Sequence, residues 1–222
     1  MPENATLLPE LGLAAETGAR YIAGVDEVGR GALAGPVTIG VSVLDMADPA
    51  LREVSAETGV VEHLDGVRDS KLLTPAARTR WSPLICEHAA AYSVQHRQAE
   101  EIDAVGIGAA MRSAGLAGLN EVERQLGAPL DAVILDGSHD WLTGGTSPRV
   151  RCMVKADVRC LTVACASVIA KVERDRLMEE LARDHPEYGW HSNRGYGSAL
   201  HREALASAGV TPFHRKSWNL GV

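Results

Sequence analysis

Residues 24–37 read GVDEVGRGALAGPV, and the fold turns on how this stretch is understood. An apolar run, Tyr21 to Val25, precedes it, and a second, Val37 to Leu44, follows. Both have the length and composition of strands, so they predict strands over residues 20–26 and 36–45 joined by a glycine turn. Between them stand two adjacent carboxylates, Asp26 and Glu27, and then Gly29-Arg30-Gly31. An acidic pair at the end of a buried strand is costly unless something positive faces it. The glycines either make a plain tight turn or let backbone amides approach a ligand, with Arg30 as a charge-assisted donor. The spacing excludes the nucleotide-binding loops. The third glycine falls at Gly35, before Pro36, and no Gly-Lys-Ser or Gly-Lys-Thr occurs.

Beyond this pair of strands, the stretch Asp45 to Arg68 reads as a surface connection. Thr74-Pro75 is a helix start, and that helix extends to about Ala89, with Pro83 disturbing it or ending its regular part. AAYSVQHRQ gives a third strand, and Glu101 to Leu126 one long helix closed by Gly127. LDAVILDG and RVRCMV are two more strands, followed by a helix from about Thr162 to Asp184. The tail, Tyr188 to Val222, predicts one or two short helices, the later one started by Thr211-Pro212. Strands alternating with helices indicate a mixed α/β sheet with helices on its faces.

Each of three acidic positions ends an apolar run: Asp26-Glu27 after YIAGV, Asp136 after AVIL, and Asp157 after CMVKA. Asp136-Gly137 taken alone is an ordinary turn, and Asp65, Asp131 and Asp140 read as solvated loop acids. The recurrence at strand ends is what points to function. Four carboxylates in one cleft repel one another, and divalent cations relieve the repulsion. An all-oxygen set selects Mg²⁺ or Mn²⁺ over zinc, and two such ions form a clamp for in-line displacement at phosphorus.

Composition narrows the class. With 222 residues, 45% hydrophobic and 23% charged, the chain supports one substantial core. No apolar stretch reaches the roughly 20 residues that span a bilayer, and the N-terminus lacks the pattern of a signal peptide, so a cytoplasmic location is expected. Cys86, Cys152, Cys160 and Cys165 have no metal-ligand spacing and read as reduced thiols. The net charge of −7 excludes indiscriminate binding to nucleic acid but fits acids gathered to hold cations.

The chain resembles bacterial ribonuclease HII along nearly its whole length. The resemblance is carried in order by GVDEVGRGALAGPV, DSKLL, EEID, ILDG, VKAD with ACASVIAKVERDRLM, RGYG and the terminal HRKSW. It implies a ribonuclease-H-like α/β fold: a mixed five-stranded sheet flanked by helices, with a C-terminal helical extension. Residues 1–187 would be the catalytic domain and 188–222 a substrate-binding extension of the same compact unit. It also implies an endoribonuclease that hydrolyses the RNA strand of RNA–DNA hybrids and cuts at single ribonucleotides in duplex DNA. Carried over residue by residue, Asp26, Glu27, Asp136 and Asp157 would be the catalytic, metal-binding acids, holding Mg²⁺ or Mn²⁺ in a two-metal arrangement. Gly29, Arg30 and Gly31 would sense the ribose 2′-OH, the group that separates RNA from DNA. Tyr196 would pack on the sugar at the RNA–DNA junction, and Ser70 and Lys71 would lie near the nucleic-acid backbone. Two positions depart from the family's usual wording. Asn193-Arg194 replaces histidine–lysine, so Arg194 keeps a substrate-binding charge and Asn193 has none, and Ala156 replaces the glycine of Lys-Gly-Asp.

Between His191 and Lys216 the only acid is Glu203, whereas Arg194, Arg202, Arg215 and Lys216 are basic and His191, His201 and His214 add charge when protonated. This segment reads as a stripe that tracks phosphates. No protein partner is readable, and a monomer is the default. Two other readings use the same residues. A junction resolvase of this fold would ignore the 2′-OH, and a non-catalytic hybrid-binding protein would tolerate loss of the acids.

Overall fold

In the computed structural model, which describes residues 4–146 and 148–221, helix α1 (Leu8–Thr17) leads into strands β1 (Tyr21–Val28) and β2 (Val37–Asp45). A short α2 (Pro49–Arg52) and α3 (Pro75–His88) precede β3 (Ala91–Arg97). Then come α4 (Ala99–Val105), α5 (Ile107–Leu126), β4 (Ala132–Asp136), β5 (Arg149–Met153) and the long α6 (Leu161–Asp184). The chain closes with α7 (Trp190–Asn193) and α8 (Ala199–Ala208). The sheet order is β3-β2-β1-β4-β5, antiparallel among β1, β2 and β3 and parallel from β1 through β4 to β5. This is the mixed five-stranded sheet, flanked by helices, that the motif series implied.

Side chains alternate across the sheet, so β1 and β2 each feed two cores. Val25, Ile39 and Val41 pack against Leu119 and Val122 of α5 on one face. On the other, Ile22 meets Val163 of α6. Each such side chain contributes about 1.5–3 kcal/mol by leaving water. The α6 face is unusually close. A Cβ on Gly24 would come within 2.3 Å of the Thr162–Val163 backbone, and one on Gly40 within 2.2 Å of the Ala166 carbonyl. Helix α6 therefore lies directly on the strand that carries Asp26, which is why its contacting segment is alanine-rich.

The structure corrects the sequence reading at several points. The helix expected over Glu101–Leu126 is two, because Gly106 takes φ 82° and breaks it. Pro83 does not end α3, which Thr74 caps by accepting from the Ala77 amide at 3.2 Å. The connection Asp45 to Arg68 is not merely surface, since its own Leu51, Val61, Leu64 and Val67 are buried in a core. Thr211-Pro212 starts no helix; the Thr211 hydroxyl accepts from the Phe213 amide and meets His214 Nδ1, making a turn instead. Helix α1, with Pro9 in its first turn and Gly18 in the left-handed conformation after its end, was not expected at all. No described helix is long and apolar enough to cross a membrane.

Candidate active site

Strands β1 and β4 run parallel, and their last paired register is Val25 beside Leu135. One residue further, Asp26 and Asp136 stand at the same edge of the sheet on neighbouring strands. Parallel strands collect functional groups at such carboxyl ends. Asp157 reaches this edge from the 3-10 turn Ala156–Val158, directly before α6. Asp136 Oδ1 accepts from the Ala156 amide at 2.7 Å and so ties the β4 end to that turn. Lys155, not Ala156, carries the left-handed backbone of the reversal (φ 58°), so the turn asks nothing unusual of Ala156.

Alternation along β1 sends Asp26 to the α6 face and Glu27 to the other. Asp26 is 3% exposed. Burial pushes its carboxyl up to about 8; Ser167 holds it back in part, and Glu27, Asp136 and Asp157 push further. Burial also raises Glu27, against Arg30, whose Nη1 is 3.5 Å from Oε1. Asp157 is raised by burial, then by Asp136 and Asp69, against Lys71 at 3.5 Å. These carboxylates share one field, and their repulsion is only partly answered.

Two exposed cations, Arg30 and Lys71, give that partial answer. Burial alone would lower the Lys71 ammonium, but Asp69, Asp26 and Asp157 hold it above its usual value. Among the described residues no three acidic, histidine or cysteine side chains stand close enough together to enclose an ion. The donors themselves fit a hard divalent cation. They are all carboxylate oxygens, and the raised proton affinity of Asp26, Glu27 and Asp157 is the strain a cation would relieve.

A cleft of about 450 Å³ opens beside the acids, lined by Asp26, Glu27, the Gly29-Arg30-Gly31 turn, Ser70, Lys71, Lys171 and Tyr196. Asp136 and Asp157 do not line it. Ser70 is 1% exposed, and its hydroxyl is turned inward to Ser167 Oγ at 2.9 Å. Tyr196 is 40% exposed, with the Arg174 guanidinium 5.6 Å from its ring centre.

Arg194 is elsewhere. Its guanidinium is engaged by Glu179 at 2.6 Å, by Asp175 at 3.6 Å and by the His191 carbonyl. Asn193 is an internal brace: its amide donates to the Tyr188 carbonyl at 2.7 Å and accepts from the Gly195 amide at 2.9 Å. The expected phosphate stripe does not form as read. His201, His214 and Arg215 are each 0% exposed, which leaves His191, Arg202 and Lys216 at the surface. Burial lowers both buried histidines, so neither adds a positive charge there.

Sequence reasoning missed Lys171 and Ser167. Lys171 Nζ lies 2.6 Å from Asp175 and its side chain lines the cleft. The signal was present in ASVIAKVERD, where Ser167, Lys171 and Arg174 fall three and four residues apart on one helix face.

Acids on adjoining strand ends of a β3-β2-β1-β4-β5 sheet, beside a cationic glycine turn, define a nuclease of ribonuclease-H-like architecture. The ribonuclease HII family profile matches residues 23–220, and the chain belongs to the ribonuclease HII family. A ribonuclease HII of Streptomyces avermitilis is 45% identical over 216 residues, covering 97% of this chain and 84% of that protein. The ribonuclease H2 structure from Pyrococcus horikoshii OT3 superposes with TM-score 0.71 at 28% identity, over 90% of this chain and 94% of that one. The ribonuclease HII of Archaeoglobus fulgidus, solved in complex with PCNA, gives TM-score 0.67 at 26% identity, over 89% and 95%. The chain is thus a hydrolytic endoribonuclease acting on RNA–DNA hybrids.

Proposed function

We propose that the cleft cuts the phosphodiester 5′ to a ribonucleotide, in the RNA strand of hybrids and at single ribonucleotides in duplex DNA. The cut would leave 3′-hydroxyl and 5′-phosphate ends and serve removal of misincorporated ribonucleotides and of primers. The observation that carries the reading is the direct junction of Asp26-Glu27 with the Gly29-Arg30-Gly31 turn on one wall of one cleft. Such a junction checks the sugar within a few residues of where the phosphate is attacked.

Asp26, Glu27, Asp136 and Asp157 are the residues that would hold Mg²⁺ or Mn²⁺, two ions in this reading. Bound there, the ions would neutralise the phosphate and lower the pKa of the attacking water. The protein's own groups do the rest. The turn's amides and Arg30 address the ribose, Tyr196 packs on the sugar beyond it, and Lys71 moves from Asp157 to a phosphate oxygen. Ser70, whose amide and hydroxyl both meet Ser167, serves to place Lys71 beside the substrate backbone. Arg194, paired with Glu179, makes no substrate contact in this scheme. The Archaeoglobus complex makes a PCNA-type clamp the first protein partner to look for.

The test is a metal titration on a long RNA–DNA hybrid with the parent chain, Asp136→Asn and Asp157→Asn. The expected result is cleavage only with Mg²⁺ or Mn²⁺, 5′-phosphate ends, and at least a roughly hundredfold loss in either variant. Metal-independent cleavage, or full activity in both variants, would remove the acids from the chemistry.

A further inference from the structure

Two arginines behind the glycine turn have no part in the scheme above. Arg174, on α6, and Arg215, near the C-terminus, are both 0% exposed. Among the described residues neither has a carboxylate within ion-pair distance, 4.0 Å. Both donate to backbone carbonyls, nearly all of one loop. Arg215 gives Nη2 to the Gly29 carbonyl at 2.7 Å, Nη1 to Arg30 at 2.8 Å, and Nε and Nη2 to Gly35 at 3.2 and 3.0 Å. Arg174 gives Nε to Pro36 at 2.8 Å, Nη2 to Ala34 at 3.2 Å and Nη1 to Arg194 at 2.9 Å. The loop from Gly29 to Pro36 is wrapped around two guanidinium groups.

An apolar plug would fill the space without burying two like charges, which is costly in a dry interior. The arrangement gives something a plug cannot. In a trans peptide the carbonyl of one residue and the amide of the next point in opposite directions. With the Gly29 and Arg30 carbonyls drawn in to Arg215, the amides of Arg30 and Gly31 are turned out, on the side where these residues line the cleft. A cation on the carbonyl also polarises the peptide and strengthens its N–H as a donor.

The glycines fit this reading. Gly29 has φ 82°, and a Cβ there would lie 2.0 Å from Arg174 Nε, so the close approach of the arginine demands glycine. Gly31 has open space at its Cβ position, so packing does not require it. What its bareness provides is room in the cleft. Arg174 carries the same control to the second substrate loop: it holds the Arg194 carbonyl, and the Gly195 carbonyl accepts from Leu33 at 2.8 Å and Ala34 at 3.2 Å. Tyr196 follows directly. A buried histidine pair joins the segment before Arg215 to the Tyr196 loop. His214 Nδ1 accepts from the Thr211 amide at 2.9 Å, its Nε2–H donates to His201 Nε2 at 3.0 Å, and His201 Nδ1–H donates to the Tyr196 carbonyl at 2.9 Å.

We infer that Arg215 and Arg174 are positioning residues for ribose recognition: they hold and polarise the Gly29–Gly31 turn so that its outward amides meet a 2′-hydroxyl oxygen. The inference rests on the assignment of that turn as the ribose sensor.

The experiment is binding, measured by fluorescence anisotropy without divalent ions, of two duplexes that differ only in one ribonucleotide. The parent chain should prefer the ribonucleotide-containing duplex. Arg215→Lys keeps the charge but not the fork, and Arg174→Lys does the same between the two loops. Either should lower the preference about tenfold, or to none, with affinity for the all-DNA duplex unchanged within about twofold. Thermal melting of both variants identifies any that fail to fold, and a folded one decides. An undiminished preference in a folded variant would overturn the inference, as would an equal loss on both duplexes, which is the mark of a purely structural or electrostatic role. A parent chain that binds both duplexes alike would overturn the sensor assignment, and the inference with it.

Discussion

Asp26 and Arg215 are both charges withdrawn from water, 3% and 0% exposed, on either side of the same turn. They are treated in opposite ways. Arg215 is satisfied within the protein, by carbonyls of Gly29, Arg30 and Gly35 that cost the chain no counter-charge. Asp26 has only the Ser167 hydroxyl to hold it, and Glu27, Asp136 and Asp157 aggravate its burial. The cationic side of the cleft is finished by folding, whereas the anionic side is left to be completed by something that binds. A net charge of −7 conceals this division, because Arg174 and Arg215 lie inside, behind the turn, while Arg30, Lys71 and Lys171 face the acids in the cleft.

Removing the acid has the largest effect. Asp26→Asn should abolish cleavage by about a thousandfold or more while making the ion-free protein more stable, not less. The sign follows from the raised carboxyl. Stability from this group is complete below its ordinary value of 3.8 and is lost as the pH rises towards about 8. In a chelator at pH 8.5 the variant should therefore exceed the parent by about 2 kcal/mol or more, and the gap should close at pH 4 or with Mg²⁺. Urea melts at the two pH values check it.

Arg215→Met should do the reverse. It takes the Arg215 donors from the carbonyls of Gly29, Arg30 and Gly35 and should cost about 3 kcal/mol, with no recovery on adding divalent ions. A stabilised Arg215→Met would mean that the two sides of the cleft are not different in kind.

Glu10 sharpens the contrast from a third position. It is fully buried on α1, where Oε1 accepts from the Thr162 amide at 2.8 Å and hydroxyl at 2.7 Å at the start of α6, while Oε2 has no partner. Burial raises it to about 7 from 4.5. Stability should then fall by on the order of 3 kcal/mol as the pH climbs between those values, and Glu10→Gln should flatten that slope without touching cleavage chemistry. The smallest effect belongs to the surface. Arg176→Ala loses Glu173 at 3.0 Å and Glu180 at 2.6 Å in open solvent and should shift stability by less than about 0.5 kcal/mol.

The same division explains what could be read from the sequence. The acids stood out because each closes an apolar run; the structure puts Asp26 and Asp136 near the ends of β1 and β4, and Asp157 on the turn past β5. Arg215 was misread as part of a basic stripe, because a basic neighbourhood says nothing about burial and its carbonyl partners lie 180 to 186 residues away. Thr74-Pro75 and Thr211-Pro212 are the same dipeptide with different fates. Apolar residues at helical spacing follow the first, but FHRKSW follows the second, where the hydroxyl goes to a buried histidine instead. Gly106 was absorbed into one long helix because apolar spacing continues across it; only the backbone angle reveals the break. Glu10 gave no local sign, since what buries it is the start of α6, more than 150 residues on.

Cleavage in Mg²⁺ of two duplexes of one sequence, with and without a single ribonucleotide, asks whether the acids and the turn work together. Cutting 5′ to the ribonucleotide, with the all-DNA duplex intact, is the predicted result, because the acids and the turn beside them act as one device. Equal cutting of both would contradict it, and would show that the turn built around Arg174 and Arg215 does not sense the sugar.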